Sequence, residues 1–245
     1  MVSVIVINYE PDSHPGEIQM KYTITGDNLQ FVNIQIEPGE EIKTGAGAMR
    51  YMTGNIVMDA KMEGGIGKGI KRMFTGNSLF LVKYRAEGGS GIVGLGGSAP
   101  GKILDIDISK GNWLVQKTGY LGSEAGVNLD MAFQKKLGSI FFGGEGLIIQ
   151  KLSGKGIAFI AACGDFNVVD LKPGEKYKIS TGNVVAWEES VAYDIASAGN
   201  LKTSVFGGEG FFVTTLTGPG KIVIQSMTLG DLAMALAPYL PNNNS

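Results

Sequence analysis

Apolar and polar residues alternate along much of this chain, with the period of two expected of half-buried β-strands. In Leu104-Asp-Ile-Asp-Ile108 the apolar side chains fall on one face, with Asp105 and Asp107 on a wet one. Ser78 to Arg85 and Lys221 to Ser226 read as further strands, each bounded by glycine turns. Val2 to Ile7 reads as an extra strand, too short to span a bilayer. The run Ile157-Ala-Phe-Ile-Ala-Ala-Cys163 is continuously apolar, which predicts a strand buried on both faces. A helical pattern stands out only at Thr228 to Leu236, where Thr228 caps, Asp231 favours the first turn and Pro238 limits extension. Leu232, Ala233, Leu236 and Leu240 form its expected buried stripe, and Asn242 to Ser245 an expected frayed tail.

The pattern repeats about every 65 residues. Thr-Gly pairs occur at Thr44-Gly45, Thr118-Gly119 and Thr181-Gly182. A branched residue then stands three before an aspartate, at Ile56 and Asp59, Val127 and Asp130, Val191 and Asp194. An aromatic glycine turn feeds an apolar run in FTGNSLFLV from Phe74, FFGGEGLII from Phe141 and VFGGEGFFV from Val205. Upstream, Pro38-Gly39-Glu40 returns as Pro173-Gly174-Glu175, with Ser109-Lys110-Gly111 in the middle copy. These anchors predict an all-β fold with three internal repeats, at about 37–93, 106–162 and 170–226, in one compact domain over 1–245. Residues 227–245 form the C-terminal helix and tail. Each repeat exposes an apolar face that its neighbours must cover, so the expected architecture is a pseudo-threefold β-sandwich. Periodicity alone leaves open a prism, a trefoil or three stacked sandwiches.

Composition supplies a core and removes several functions. Hydrophobic residues make up 44% and charged residues 18%, and the mean hydropathy is +0.12. A net charge of −2 gives no general attraction for phosphate backbones, so no nucleic acid is expected. Cys163 is the only cysteine and reads as an inert core thiol in a reducing compartment. No secretory signal or presequence is evident, so the expected location is cytoplasmic, peripheral at the membrane.

Candidate chemistry is sparse. Gly89-Ser-Gly91-Ile-Val-Gly94 has the spacing of a dinucleotide loop but leads into another strand instead of a helix. Gly64 to Lys71 lacks the closing Lys and Ser/Thr of a phosphate loop. His14 is the only histidine, so neither a multi-histidine metal site nor a Ser-His triad is in sight. Glu188-Glu189, Glu145 and Glu209 are the carboxylates available for acid/base work, and nothing places them opposite one another. The expectation is no enzyme, no catalytic residue and no cofactor. The repeated Asp59, Asp130 and Asp194 could hold Mg2+ or Ca2+ if the three copies bring them to one axis.

The motifs GGIGKGIKRMFTGNSLF from Gly64, FGGEGL from Phe142 and FGGEGFFVTTLTGPGKIVIQS from Phe206 carry a resemblance to the altered inheritance of mitochondria protein 24 family, over about Met20 to Ser226. The resemblance implies a β-helix-like sandwich similar to the tryptophan RNA-binding attenuation protein (TRAP-like), repeated within the chain. It implies no known reaction. Mitochondrial members are linked to inner-membrane organisation, and most prokaryotic members are uncharacterised. The first copy has Asn77-Ser78 where the later ones have Glu145-Gly146 and Glu209-Gly210.

The first copy also holds extra residues between Asp59 and Phe74, where Lys68, Lys71 and Arg72 interleave with Ile66, Ile70, Met73 and Phe74. Basic and apolar side chains in this mixture suit an anionic membrane surface or an acidic protein partner. Three cations near an anionic surface contribute about 3 kcal/mol, so a homo-oligomer is expected to supply avidity. The resulting expectation is a non-enzymatic binding or scaffold protein of a membrane-associated or multiprotein assembly. The alternative is a small-ligand or carbohydrate-binding β protein, with Trp113, Tyr120 and Trp187 as stacking surfaces.

Overall fold

Turn chemistry sets where the strands begin. Glu37-Pro38-Gly39-Glu40 closes with the Glu40 N–H donating to the Glu37 carbonyl at 3.0 Å, while the Glu40 carboxylate accepts the Glu37 N–H at 2.9 Å. Lys172 to Glu175 repeats both bonds at 3.0 and 2.9 Å. Proline presets the first central residue, and glycine supplies the positive φ of the second, 91° at Gly39 and 78° at Gly174. In a computed structural model that describes residues 20–59, 81–135, 146–197 and 212–240, the chain is mostly β.

After β1 (Lys21–Thr25), one order of six strands is read three times. It runs first through β2 (Phe31–Ile36), β3 (Glu41–Gly45), β4 (Met49–Met52), β5 (Ile56–Asp59), β6 (Leu81–Ala86) and β7 (Gly91–Gly96). It continues through β8 (Ile103–Asp107), β9 (Trp113–Gln116), β10 (Tyr120–Glu124), β11 (Val127–Lys135), β12 (Leu147–Gly154) and β13 (Ile157–Ala161). The last reading is β14 (Phe166–Leu171), β15 (Lys176–Ser180), β16 (Val184–Glu188), β17 (Ala192–Ser197), β18 (Phe212–Thr217) and β19 (Gly220–Gln225), followed by α1 (Leu229–Leu236).

In each unit the first, sixth and third strands pair with one another, and so do the second, fifth and fourth. The two halves then separate. The second strand of one unit pairs antiparallel with the third strand of the next, β3 with β10 and β9 with β16. Among the described residues four sheets result: β1-β2-β7-β4, β5-β6-β3-β10-β13-β8, β11-β12-β9-β16-β19-β14 and β15-β18-β17. The two six-stranded sheets each belong half to one unit and half to its successor.

Three cores fill the spaces between successive sheets. Val32, Ile34 and Leu95 of the first sheet meet Ile42, Tyr84, Ile103 and Phe159 of the second. Ile106, Tyr120 and Ile160 meet Trp113, Val115 and Val223 in the next space, and Leu114, Ile149 and Trp187 meet Ile179 and Leu216 in the last. β13 reads buried along four of its five residues because both its faces are core, as its unbroken apolar run predicts. Ile106 on β8 and Ile108 just after it are buried, while Tyr22 lies over the other face of the strand and donates to Asp105 at 2.6 Å.

The repetition extends to single residues. A register shift recurs in each third strand, between Met49 and Tyr51, Tyr120 and Gly122, and Val184 and Ala186. Just beyond it, a side-chain oxygen accepts a backbone N–H at the start of the sixth strand. Thr53 takes the Ile92 N–H, Glu124 that of Ile157, and Glu188 that of Lys221. The residue before each donor is glycine: Gly91, Gly156 or Gly220. A Cβ at Gly156 would lie 2.3 Å from the Glu124 carboxylate, and its φ of 117° disfavours any side chain. The entries to the units are bridged in parallel, Leu29 to Gly101 and Gly101 to Gly164, and the Lys102 ammonium bridges Asp165 at 3.0 Å and Asp27 at 3.7 Å.

α1 begins at the expected cap. The Thr228 hydroxyl accepts the Asp231 N–H at 3.0 Å, and the Asp231 carboxylate accepts the Thr228 N–H at 2.9 Å. Its expected buried stripe is overturned: Ala233, Leu236 and Leu240 are exposed and Leu232 is half-buried. Gly230, in the first turn, is the buried residue of the helix instead, so its burial lies at the N-terminal end.

Gly156→Ala is expected to destabilise the protein by about 1–3 kcal/mol, read as a fall of several degrees in the melting temperature. Burial pushes the Glu124 carboxyl above the usual carboxylate range, outweighing the Ile157 hydrogen bond that favours the charged form. A raised folded pKa contributes stability below the unfolded value and loses it as pH rises through the folded one. Glu124→Gln keeps an oxygen for the Ile157 N–H, so its melting temperature should exceed the parent's at pH 7 and converge with it near pH 4.

Candidate functional site

Where the second strand of a unit turns into its third, the chain passes through the Thr-Gly pair, and these turns line two clefts at the junctions between units. The cleft between the first and second units, about 270 Å³, is walled by Gly45 to Ala48 and by Lys117, Thr118 and Tyr120. The cleft between the second and third, about 240 Å³, is walled by Gln116 to Gly119, Gly182 and Val185, with Leu229, Gly230 and Ala233 of α1 along one side. Ser98, Lys117 and Thr118 line both. Small residues let the walls approach: a Cβ on Gly119 would sit 3.2 Å from a Val185 methyl, and one on Gly45 3.2 Å from the Tyr120 carbonyl.

The polar groups of the second cleft are largely paired. Gln116 donates to the Thr181 carbonyl at 3.0 Å, and Gln225 to that of Gly182 at 2.9 Å. The Gln225 oxygen accepts the Cys163 N–H at 2.8 Å, and Thr214 donates to the Thr181 hydroxyl at 2.9 Å. The first cleft differs. Gln150, 3% exposed, has a side-chain oxygen with no hydrogen-bond partner among the described residues. A buried acceptor left open costs about 1–3 kcal/mol, so this oxygen favours any small donor that enters. None of the three glutamines was foreseen as functional. The available signal at Gln150 was one uncharged polar residue inside the apolar run Leu147-Ile-Ile-Gln150.

Asp59, Asp130 and Asp194 occupy equivalent rungs, opposite Lys83, Lys151 and Thr215 on the neighbouring strands. They belong to three different sheets. Among the described residues no three His, Cys, Asp or Glu side chains are placed to hold a metal ion. Lys68, Lys71, Arg72 and Phe74 lie outside the described residues, as do His14, Glu145, Glu209 and Val2 to Ile7.

Trp113, Tyr120 and Trp187 are 6%, 7% and 1% exposed, which removes them as stacking surfaces for a sugar. Their large apolar area is used between sheets; Trp187 lies 5.4 Å from the Tyr193 ring, which stacks on Phe133. Glu188 receives the Lys221 N–H, and Glu189 holds Lys151 and accepts from Asn112 at 2.8 Å. Those hydrogen bonds, the Lys151 one first, keep the Glu189 carboxyl below its usual range, which suits an ion pair. Cys163 is buried, and burial together with the Asp231 carboxylate raises its thiol. No helix among the described residues is long and apolar enough to cross a membrane.

The chain is similar, at 28% identity over 250 residues covering 98% of it and 99% of the other, to an uncharacterised protein of Streptococcus pyogenes serotype M6. It also resembles a solved structure, protein SPYM3_0169 from Streptococcus pyogenes, with 27% identity, a TM-score of 0.75, and coverage of 91% of this chain and 100% of that one. The profile of the family described as mitochondrial biogenesis AIM24 matches residues 22–227, which spans all three readings of the strand order, and the chain belongs to the AIM24 family.

Proposed function

We propose that this protein is a non-enzymatic scaffold that works as a homo-oligomer and supports a membrane-associated or multiprotein assembly. The observation that carries this reading is the sharing of sheets between successive units. A chain whose parts complete one another's sheets forms a rigid stack with large exposed faces, suited to holding partners. The partner surface is the basic and apolar segment of Lys68, Lys71, Arg72 and Phe74, and its counterpart is an anionic membrane or an acidic protein at the cytoplasmic side. Liposome flotation checks the membrane arm: the protein should float with vesicles containing phosphatidylserine, stay down with phosphatidylcholine alone, and lose binding in Lys68/Lys71/Arg72→Ala. Equal flotation of parent and variant refutes the assignment of that surface.

The unpaired oxygen of Gln150 favours a second reading, a small ligand with a hydrogen-bond donor in the cleft between the first two units. In purified protein Gln150→Met should melt within about 1 kcal/mol of the parent, because it removes an acceptor that has no partner. A small-molecule extract of the host should raise the melting temperature of the parent and leave the variant unmoved. The same shift in both excludes that cleft as the binding site.

A further inference from the structure

From Ala233 to Leu240 every residue is exposed, and the sequence there is Ala-Met-Ala-Leu-Ala-Pro-Tyr-Leu, without a single charge. These residues form the last turn of α1 and the 3-10 turn Ala237–Tyr239 that continues it. Met234 is 49% exposed, Leu236 50%, Leu240 63% and Tyr239 85%. Asp231, the one charged side chain of the helix, is held in the capping box with Thr228. A surface helix turns a polar face to water, and a helix that is apolar all round is ordinarily covered. We propose that this segment is a lipid anchor, lying in the interface of an anionic bilayer with Met234, Leu236, Tyr239 and Leu240 in contact with lipid.

The spread of exposure around the helix favours lipid as the cover. Successive helical residues point about 100° apart, so Met234, Ala235 and Leu236 face three directions, and all three are exposed. A protein groove covers one side of a helix, whereas fluid acyl chains close round every side left open. The eight residues of α1 are about 12 Å long against about 30 Å of hydrocarbon, so the helix dips into the interface and does not cross it. Tyr239 fits that depth, with its ring in the apolar layer and its hydroxyl among the headgroups.

Charge selects the end of the stack that meets the membrane. α1 borders the second cleft, at the end where second strands turn into third strands. The described glutamates all lie at or beside the opposite strand ends, as Glu37 does after β2, Glu87 after β6, Glu124 on β10 and Glu188 on β16. An anionic surface repels that far end. On the side of α1, Lys117 lines both clefts and Arg50 donates to the Gly47 and Gly97 carbonyls, while Asp27 and Asp165 are bridged by Lys102. β6 also begins on this side, at Leu81 in the wall of the first cleft.

The anchor rests on the membrane-associated reading above, and its test keeps the two apart. Trp113 and Trp187 are buried, so the indole introduced by Tyr239→Trp reports on its own surroundings. With vesicles of phosphatidylserine and phosphatidylcholine, its emission should move to shorter wavelength and be quenched by lipids brominated on the acyl chain. Leu236→Asp should weaken binding to the same vesicles about tenfold or more and keep the parent's melting temperature, because the side chain is exposed in the protein alone. A parent that does not float with these vesicles overturns both the anchor and the membrane arm of that reading. If the parent floats, equal binding of Leu236→Asp or a fixed emission in Tyr239→Trp overturns the anchor alone. An emission shift that grows with protein concentration in the absence of vesicles puts a second copy over the helix and overturns lipid as its cover.

Discussion

The fold depends on backbone hydrogen bonds between the second strand of one unit and the third strand of the next. An unpaired strand edge inside a folded protein leaves N–H and C=O groups without partners, and burying them in that state is costly. The junctions β3 with β10 and β9 with β16 satisfy these groups and bring the Thr-Gly turns of adjacent units together. Because each six-stranded sheet has a core on both faces, the pairing that joins two units also walls two cores. Losing one unit would expose its neighbours, so stability is shared along the stack as in other repeat proteins.

Electrostatics plays a smaller part. The ion pairs Lys21 with Glu37, Arg85 with Glu87 and Lys83 with Glu41 are partly or largely exposed, so solvent screens them and each contributes little. A buried side chain such as Phe159 or Trp187 contributes about 1.5–3 kcal/mol through area removed from water. Polar groups matter where they are placed by the backbone, as with the oxygens of Thr53, Glu124 and Glu188, each of which ties a third strand to a sixth. The clefts follow from the same geometry: the strands leave their turns in different sheets, and the space beside the turns is lined by small residues and backbone.

Several features were legible in the sequence. The continuous apolar run of Ile157 to Cys163 marked a strand buried on both faces, and the Thr228 and Asp231 pair marked the helix start. The alternation at Leu104 to Ile108 marked the side that faces a core but not its reverse, which looked wet and is covered by Tyr22 from 83 residues away. The helix stripe failed because helical periodicity identifies an apolar face without saying whether anything lies opposite it. Trp113 and Trp187 looked like ligand platforms for the same reason; an aromatic residue in a strand reads alike whether it faces solvent or another sheet.

The sequence by itself determined the strand class, the turn positions, the buried thiol and the helix cap, because these depend on residues within a few positions of one another. Only the tertiary structure decided that Asp59, Asp130 and Asp194 lie on separate sheets, that Gln150 holds an unpaired oxygen in a cleft, and that each unit's two halves belong to different sheets. Those outcomes depend on which strand of a distant unit supplies the missing hydrogen bonds. Side-chain periodicity reports the face a residue occupies, and carries no record of the edge its backbone pairs with.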